Sequence, residues 1–187
     1  MRYRKEVTLK TGERCLLRSL CVQDAQETLA VCRKSAGETL NMMRYEDEWT
    51  MTAEQEAAFI EKQRSSAQAL MLGAFVDGKL AGTSVFQSVH PGDRARHRAG
   101  VGISILRAYW GRGIGRQMMQ AMIEAAKTTP LEQLELSVVA DNTRAYALYR
   151  SLGFEEYGRH RRAMKYRDGA YADLILMALD LQNKTAQ

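Results

Sequence analysis

The segment from Val101 to Phe154 constrains the fold most. A strand-forming run, Val101-Gly-Ile-Ser-Ile-Leu, leads into glycines at 111, 113 and 115 and then an amphipathic helix. Its apolar side carries Ile114, Met118, Met119, Met122, Ile123 and Ala126. A second strand, Leu131–Val139, follows, then a helix opened by Asn142 and closed by Gly153, which stands at a C-cap position. A strand–helix–strand–helix unit of this kind needs a crossover, so these two strands run parallel. The flanking segments read as antiparallel. Val7–Arg18 forms two short strands around Gly12, and Ala69–Val76 and Lys79–Phe86 flank Asp77-Gly78, a strong hairpin signal. Phe154–Leu179 forms two more strands around Arg167-Asp168-Gly169. Helices are expected over Val22–Ser35 and, behind a capping box at Thr52-Ala-Glu-Gln55, up to Ser65, with an aperiodic stretch over 36–51 between them. The expected architecture is α/β (α+β): a mixed, mostly antiparallel sheet of about seven strands with one parallel pair and helices on both faces. At 187 residues, without repeats or a proline-rich linker, residues 1–187 form a single domain.

A glycine loop that ends at a helix N-terminus suits an anion. Glycines admit a phosphate close to the backbone, and the first turn's N–H groups lack intrahelical partners. A tight strand-to-helix turn explains the same glycines. Two familiar phosphate loops are excluded: Arg116 stands where GxGxxG requires its last glycine, and no Gly-Lys-Ser/Thr follows. Arg107, Arg112 and Arg116 flank the loop and are candidate phosphate partners.

Charge adds a second constraint. Net charge is +5, which favours an anionic partner, but aromatics are only 7% and no RNP or zinc-finger pattern occurs, so nucleic acid is not expected. The charges are also segregated. Residues 46–61 hold six acids and no Lys or Arg, whereas residues 90–116 hold six Arg against one Asp. The three cysteines, Cys15, Cys21 and Cys32, show no metal or disulfide spacing, so no metal is expected and the thiols imply a reducing compartment. With neither a signal peptide nor an apolar run of membrane-spanning length, the expected localisation is cytoplasmic and no membrane partner is expected.

Two motifs together resemble the GNAT family of acyl-CoA-dependent N-acyltransferases. One is the strand–glycine loop–helix of residues 101–123; the other is Asn142-x-x-Ala145-x-x-Leu148-Tyr149-x-x-x-Gly153-Phe154. The order of elements from Val7 to Leu179 follows the same layout. The resemblance implies an acetyl-CoA-dependent N-acetyltransferase, with the acyl donor in a gap where the two parallel strands splay apart. It implies pyrophosphate binding by the backbone of Gly111, Arg112, Gly113, Ile114, Gly115 and Arg116. It further implies pantetheine and acetyl contacts from main-chain groups of Ile103, Ser104 and Ile105, a polar contact from Asn142, and Tyr149 as general acid for the departing thiolate. Asn142 is also an ordinary helix cap, and Tyr149 an apolar-face aromatic. The Trp110-Gly-x-Gly form of the loop is similar to the branch containing ribosomal-protein alanine and small-amine acetyltransferases. The implied acceptor is a primary amine of a small molecule or peptide, and a homodimer is a common arrangement in such proteins. A non-catalytic acyl-CoA-binding module and a nucleic-acid-binding module are the alternatives.

One departure bears on mechanism. Gly100 stands where many family members carry a glutamate used as general base. Deprotonating an amine of pKa ~10.4 at pH 7 costs about 4.6 kcal/mol, against about 1 kcal/mol for an α-amine of pKa ~7.7, so a site without a strong base suits the weaker amine. The acids Glu46, Asp47 and Glu48 are candidates to attract the amine or supply the base; a solvated loop ahead of a helix explains them equally well.

Overall fold

The structure is a computed structural model that describes residues 1–90 and 92–182. Its eight strands are β1 (Arg4–Thr8), β2 (Arg14–Ser19), β3 (Leu70–Val76), β4 (Lys79–Ser88), β5 (Arg98–Ile105), β6 (Gln133–Val139), β7 (Glu155–Lys165) and β8 (Tyr171–Asp180). The helices are α1 (Ala25–Gly37), α2 (Ala53–Ser65), α3 (Ile114–Ala126) and α4 (Thr143–Ser151). The strands form one sheet in the order β1-β2-β3-β4-β5-β6-β8-β7, in which only β5 and β6 run parallel. This is the mixed sheet that the sequence implies, with eight strands where about seven are expected.

Local chemistry explains most element boundaries. Thr52 Oγ1 accepts from the Gln55 N–H while Gln55 Oε1 accepts from the Thr52 N–H, closing the capping box that starts α2. Asp77 and Gly78 adopt φ of 49° and 76°, the left-handed pair that a two-residue hairpin needs. Gly153, with φ 92°, ends α4.

Period-two alternation sends the two faces of β3 into different cores. Leu70, Leu72, Ala74 and Val76 join Met118, Met119, Met122, Leu134 and Phe154 beneath α3 and α4. Met71 and Phe75 join Leu20, Val31, Ile60 and Leu80 beneath α1 and α2. The sheet is therefore sandwiched over β2–β4. At β5 and β6 the same alternation holds Leu134, Leu136 and Val138 under α3 and α4 and turns Glu135 and Ser137 to the opposite face, where Ser104 of β5 meets Ser35 of α1.

Candidate active site

The parallel pairing is short. It covers Arg98–Gln133, Ala99–Leu134 and Gly100–Glu135 only, although β5 runs on to Ile105 and β6 to Val139. Beyond Gly100 the strands separate. Each remains paired on its outer side, β5 with β4 from Gly82 to Ser88 and β6 with β8 along its full length. The gap opens into a cavity of about 530 Å³ lined by Val101–Ile105, Leu136–Val139, the glycine loop, and Asn142, Leu148 and Tyr149 of the α4 region.

The glycine loop closes one end of this cavity. Gly111 and Gly113 have φ of 83° and 93°, left-handed values that favour glycine, and Gly113 is the residue that caps α3. Gly115 is needed for proximity, because a Cβ there would approach Leu148 Cδ2 to 3.3 Å and Ile105 Cδ1 to 3.5 Å. Gln117 N–H donates to the Gly113 carbonyl at 3.2 Å. Among the described residues, no partner is found for the backbone N–H groups of Ile114, Gly115 and Arg116. Ile114, Gly115 and Arg116 all line the cavity, so the positive end of the α3 dipole borders it. The loop is pinned from outside: Lys10 N–H donates to the Arg112 carbonyl at 3.1 Å, and Trp110 Nε1 donates to the Ile105 carbonyl at 2.8 Å.

The arginines divide. Arg116 lines the cavity and its Nη2 donates to Ser151 Oγ at 2.7 Å. Arg112 does not line it. Its guanidinium turns to the β1–β2 turn, donating to Glu13 Oε1 at 2.7 Å and to the Ala108 carbonyl at 2.9 Å, over the Tyr109 ring. The structure thus brings the side chain of Arg116, and not that of Arg112, to the cavity wall. Lys10 and Arg144 line the cavity instead, and neither belongs to the glycine motif.

Tyr149 and Asn142 both line the cavity along the wall formed by α4. Tyr149 is 8% exposed, with its ring edge-on to Phe154 at 5.9 Å between centroids. Its hydroxyl has no hydrogen-bond partner among the described residues, and burial pushes the phenol up to about 12. The group therefore remains a neutral donor across the physiological range. Asn142 Oδ1 accepts the Ala145 N–H at 3.2 Å, so the cap occupies its oxygen and leaves the amide nitrogen for the cavity.

On the other side of β5, Ser104 and Ser35 form a hydroxyl–hydroxyl bond at 2.5 Å, and Ser35 Oγ also donates to the Cys32 carbonyl at 2.9 Å. With its own proton so used, Ser35 accepts from Ser104. The Ser104 oxygen then keeps lone pairs for a donor in the cavity.

The acidic trio does not converge on the gap. Asp47 makes a two-pronged pair with Arg167 at 2.7 and 2.8 Å, and Glu48 Oε2 accepts the Tyr45 N–H at 2.7 Å. Glu46 and Asp47 line a separate depression of about 520 Å³ with Glu38, Thr39, Tyr45 and Arg167. Thr39 borders both cavities, so this depression adjoins the site without entering it. Tyr45 OH accepts the Arg167 N–H at 3.0 Å, which ties the 36–51 connection to the β7–β8 turn. No cysteine lines either cavity. Among the described residues, no group of three His, Cys, Asp or Glu is arranged to hold a metal ion, and no helix is long and apolar enough to cross a membrane.

A model of the acetyltransferase (GNAT) family matches residues 36–154. The chain is 32% identical over 108 residues to the L-amino acid N-acetyltransferase AaaT of Escherichia coli K12, covering 57% of this chain and 65% of that one. It is 39% identical over 70 residues to the ribosomal protein bS18 alanine N-acetyltransferase of Salmonella typhimurium, covering 37% of this chain and 47% of that enzyme. The chain thus spans less than two thirds of each of these curated relatives. A GNAT-family acetyltransferase structure from Streptococcus pneumoniae superposes with a TM-score of 0.85 at 31% identity, covering 88% of this chain and 98% of that one.

Proposed function

The chain belongs to the GNAT acetyltransferase family, and on that premise we propose that it transfers the acetyl group of acetyl-CoA by direct attack to a primary amine. The α-amine of an amino acid or of a protein N-terminus is the acceptor class. The observation that carries this reading is the splayed β5–β6 pair, whose cavity joins three unpaired N–H donors at the start of α3 to the buried phenol of Tyr149.

In this reading the N–H groups of Ile114, Gly115 and Arg116 bind the pyrophosphate of acetyl-CoA, with Arg116 and Lys10 at its edge. The backbone edge of β5 that faces the gap over Ile103, Ser104 and Ile105 pairs with the pantetheine amides in the manner of an added strand, the Ile105 carbonyl being shared with Trp110 Nε1. Bound there, acetyl-CoA supplies the activated acyl group. Asn142 holds the thioester region through its amide nitrogen. Tyr149 donates its proton to the thiolate as the carbon–sulfur bond breaks, a role its protonated state at neutral pH permits. The buried thiols Cys15 and Cys32, both pushed up to about 11 by burial, stand outside the cavity, which favours direct transfer over an acyl-enzyme route.

The acceptor enters over the face of β5 that carries Gly100, Gly102 and Ser104. The choice of an α-amine is supported by the smaller deprotonation cost given above and by the relatives named for amino-acid and ribosomal-protein alanine acetylation. The test is thiol release from acetyl-CoA over a panel of free L-amino acids, short peptides with free N-termini, and lysine side-chain and polyamine acceptors. Release with α-amines and little with lysine side chains is expected. Release with lysine side chains and none with α-amines refutes the acceptor class, and no release from any acceptor refutes the activity.

A further inference from the structure

Strand β5 lacks a carboxylate on its acceptor face, but the neighbouring strand has one in register. Gly100 is the last residue of β5 paired with β6, and its partner is Glu135. Paired residues of adjacent strands project to the same side of a sheet. Gly100, Gly102 and Ser104 share a face by period two, and Ser104 fixes that face as the one under α1 through its bond to Ser35. Leu134 and Leu136 are buried on the opposite face, which independently turns Glu135 and Ser137 to the acceptor side.

The surroundings suit an incoming amine. A Cβ built on Gly102 would meet nothing within 4 Å, and one on Gly100 would meet only Val89 Cγ1 at 3.5 Å, so this strip of β5 is bare. Ser137, two residues beyond Glu135, lines the cavity. Glu135 itself does not line the cavity; at about 3.3 Å per residue its strand position lies roughly 7 Å short of Ser137, a span that one bridging water between carboxylate and amine can close. The Glu135 side chain is 13% exposed and is held by Arg98, whose Nε meets Oε1 and whose Nη2 donates to Oε2 at 2.8 Å. Each carboxylate oxygen keeps a further lone pair after these bonds. Arg98 is the positioning residue of the pair.

We propose that Glu135 is the proton acceptor for the amine, supplying from β6 the carboxylate that β5 lacks at Gly100. This inference rests on the acetyl-transfer reading above. In the transfer, the amine nitrogen bonds to the thioester carbonyl carbon and the carbon–sulfur bond breaks. The departing sulfur takes the phenolic proton of Tyr149, and the surplus proton on nitrogen passes to a Glu135 oxygen. Tyrosinate and glutamic acid then return to their resting forms by proton exchange with water, leaving amide and free thiol as net products. The carboxylate need not be a strong base, since the nitrogen's acidity rises as its lone pair joins the carbonyl carbon.

The test compares wild type, Glu135→Gln and Glu135→Asp with the best acceptor of the panel between pH 6 and 9.5. For Glu135→Gln, kcat/KM is expected to fall about a hundredfold at pH 7, in the range of general-base losses, with the gap to wild type narrowing as pH rises and hydroxide takes the nitrogen proton in its place. Glu135→Asp retains a carboxylate and the Arg98 contact; it should lose less, with the same pH trend. Acetyl-CoA affinity should remain within twofold in both, which separates the role from structural support of the parallel pair. A Glu135→Gln profile parallel to wild type at every pH overturns the proposal and leaves acetyl transfer standing. If Glu135→Gln fails to fold, a Glu135→Asp profile parallel to wild type overturns it equally. No thiol release by wild type from any acceptor overturns both readings together.

Discussion

Replacing Tyr149 by Phe separates a chemical role from a packing role, because the structure makes the two nearly independent. The ring sits in the core against Phe154, and its hydroxyl bonds to no described residue. Phe keeps the ring and removes an oxygen that stabilises nothing visible in the fold, so the variant should melt within a few degrees of wild type at pH 7. Chemistry should suffer far more: loss of a general acid typically costs 10²–10⁴-fold, or about 3–5 kcal/mol of transition-state stabilisation. The assay is kcat for thiol release at saturating acetyl-CoA, with acetyl-CoA affinity measured separately and expected to change little. Linkage gives a second readout. Burial raises the phenol from 10.0 to about 12, so the folded state holds this proton more tightly than the unfolded chain does. That contribution is fully present below pH 10 and is lost as pH rises from 10 to 12, amounting to about 3 kcal/mol. The Phe variant should therefore lose less stability than wild type over that interval. Equal kcat in the two proteins refutes the acid assignment, and identical alkaline stability loss refutes the burial argument.

Two further substitutions probe the frame of the site. Gly113→Ala forces a side chain onto φ 93° at the cap of α3, where its Cβ would come within 3.2 Å of Lys10 Cγ. A destabilisation of about 1–2 kcal/mol and a severalfold weaker acetyl-CoA affinity by calorimetry are expected, and unchanged affinity with unchanged melting would contradict the loop geometry. At Asp24, burial alone would raise the carboxyl, but hydrogen bonds from Arg18 and Cys21 override it and hold it near 2. This depressed value contributes about 2 kcal/mol, present above pH 4 and lost as pH falls toward 2. Asp24→Asn should therefore be less stable than wild type at pH 7, with the difference shrinking in urea titrations at pH 3.

Features that depend on neighbouring residues were legible in the sequence. The capping box at Thr52, the Asp77-Gly78 turn and the glycines with positive φ act over a few bonds, and each element they delimit forms within two or three residues of its expected bounds. The glycine loop and Tyr149 each lie within a single strand–loop–helix unit, β5–α3 and β6–α4, so local pattern was enough to place both on the elements where they are found. Side chains whose partners come from distant segments were not legible. Arg112 has the composition of a phosphate ligand, but Glu13, 99 residues earlier, holds its guanidinium. Asp47 has the composition of an amine ligand, but Arg167 reaches it from 120 residues later.

Glu135 illustrates the same limit from the other side. Its signal was present as alternation in Leu134-Glu-Leu-Ser-Val, which sets a carboxylate on the outward phase of a strand otherwise buried beneath α3 and α4. What could not be read was its register against Gly100, because parallel register depends on how an intervening helix packs rather than on any turn. The pairing gives the two glycines of β5 a physical purpose. A glutamate at position 100 would fill the bare strip beside Gly102 and stand between an incoming chain and the strand edge. In the proposed arrangement the carboxylate is carried on β6 and held by Arg98, so the strip stays open while a proton acceptor sits where the strands begin to part. An α-amine on an amino acid or a chain terminus brings bulk directly beside its nitrogen. An acceptor of that shape needs clearance on β5 more than it needs a base on β5, and this arrangement supplies that clearance.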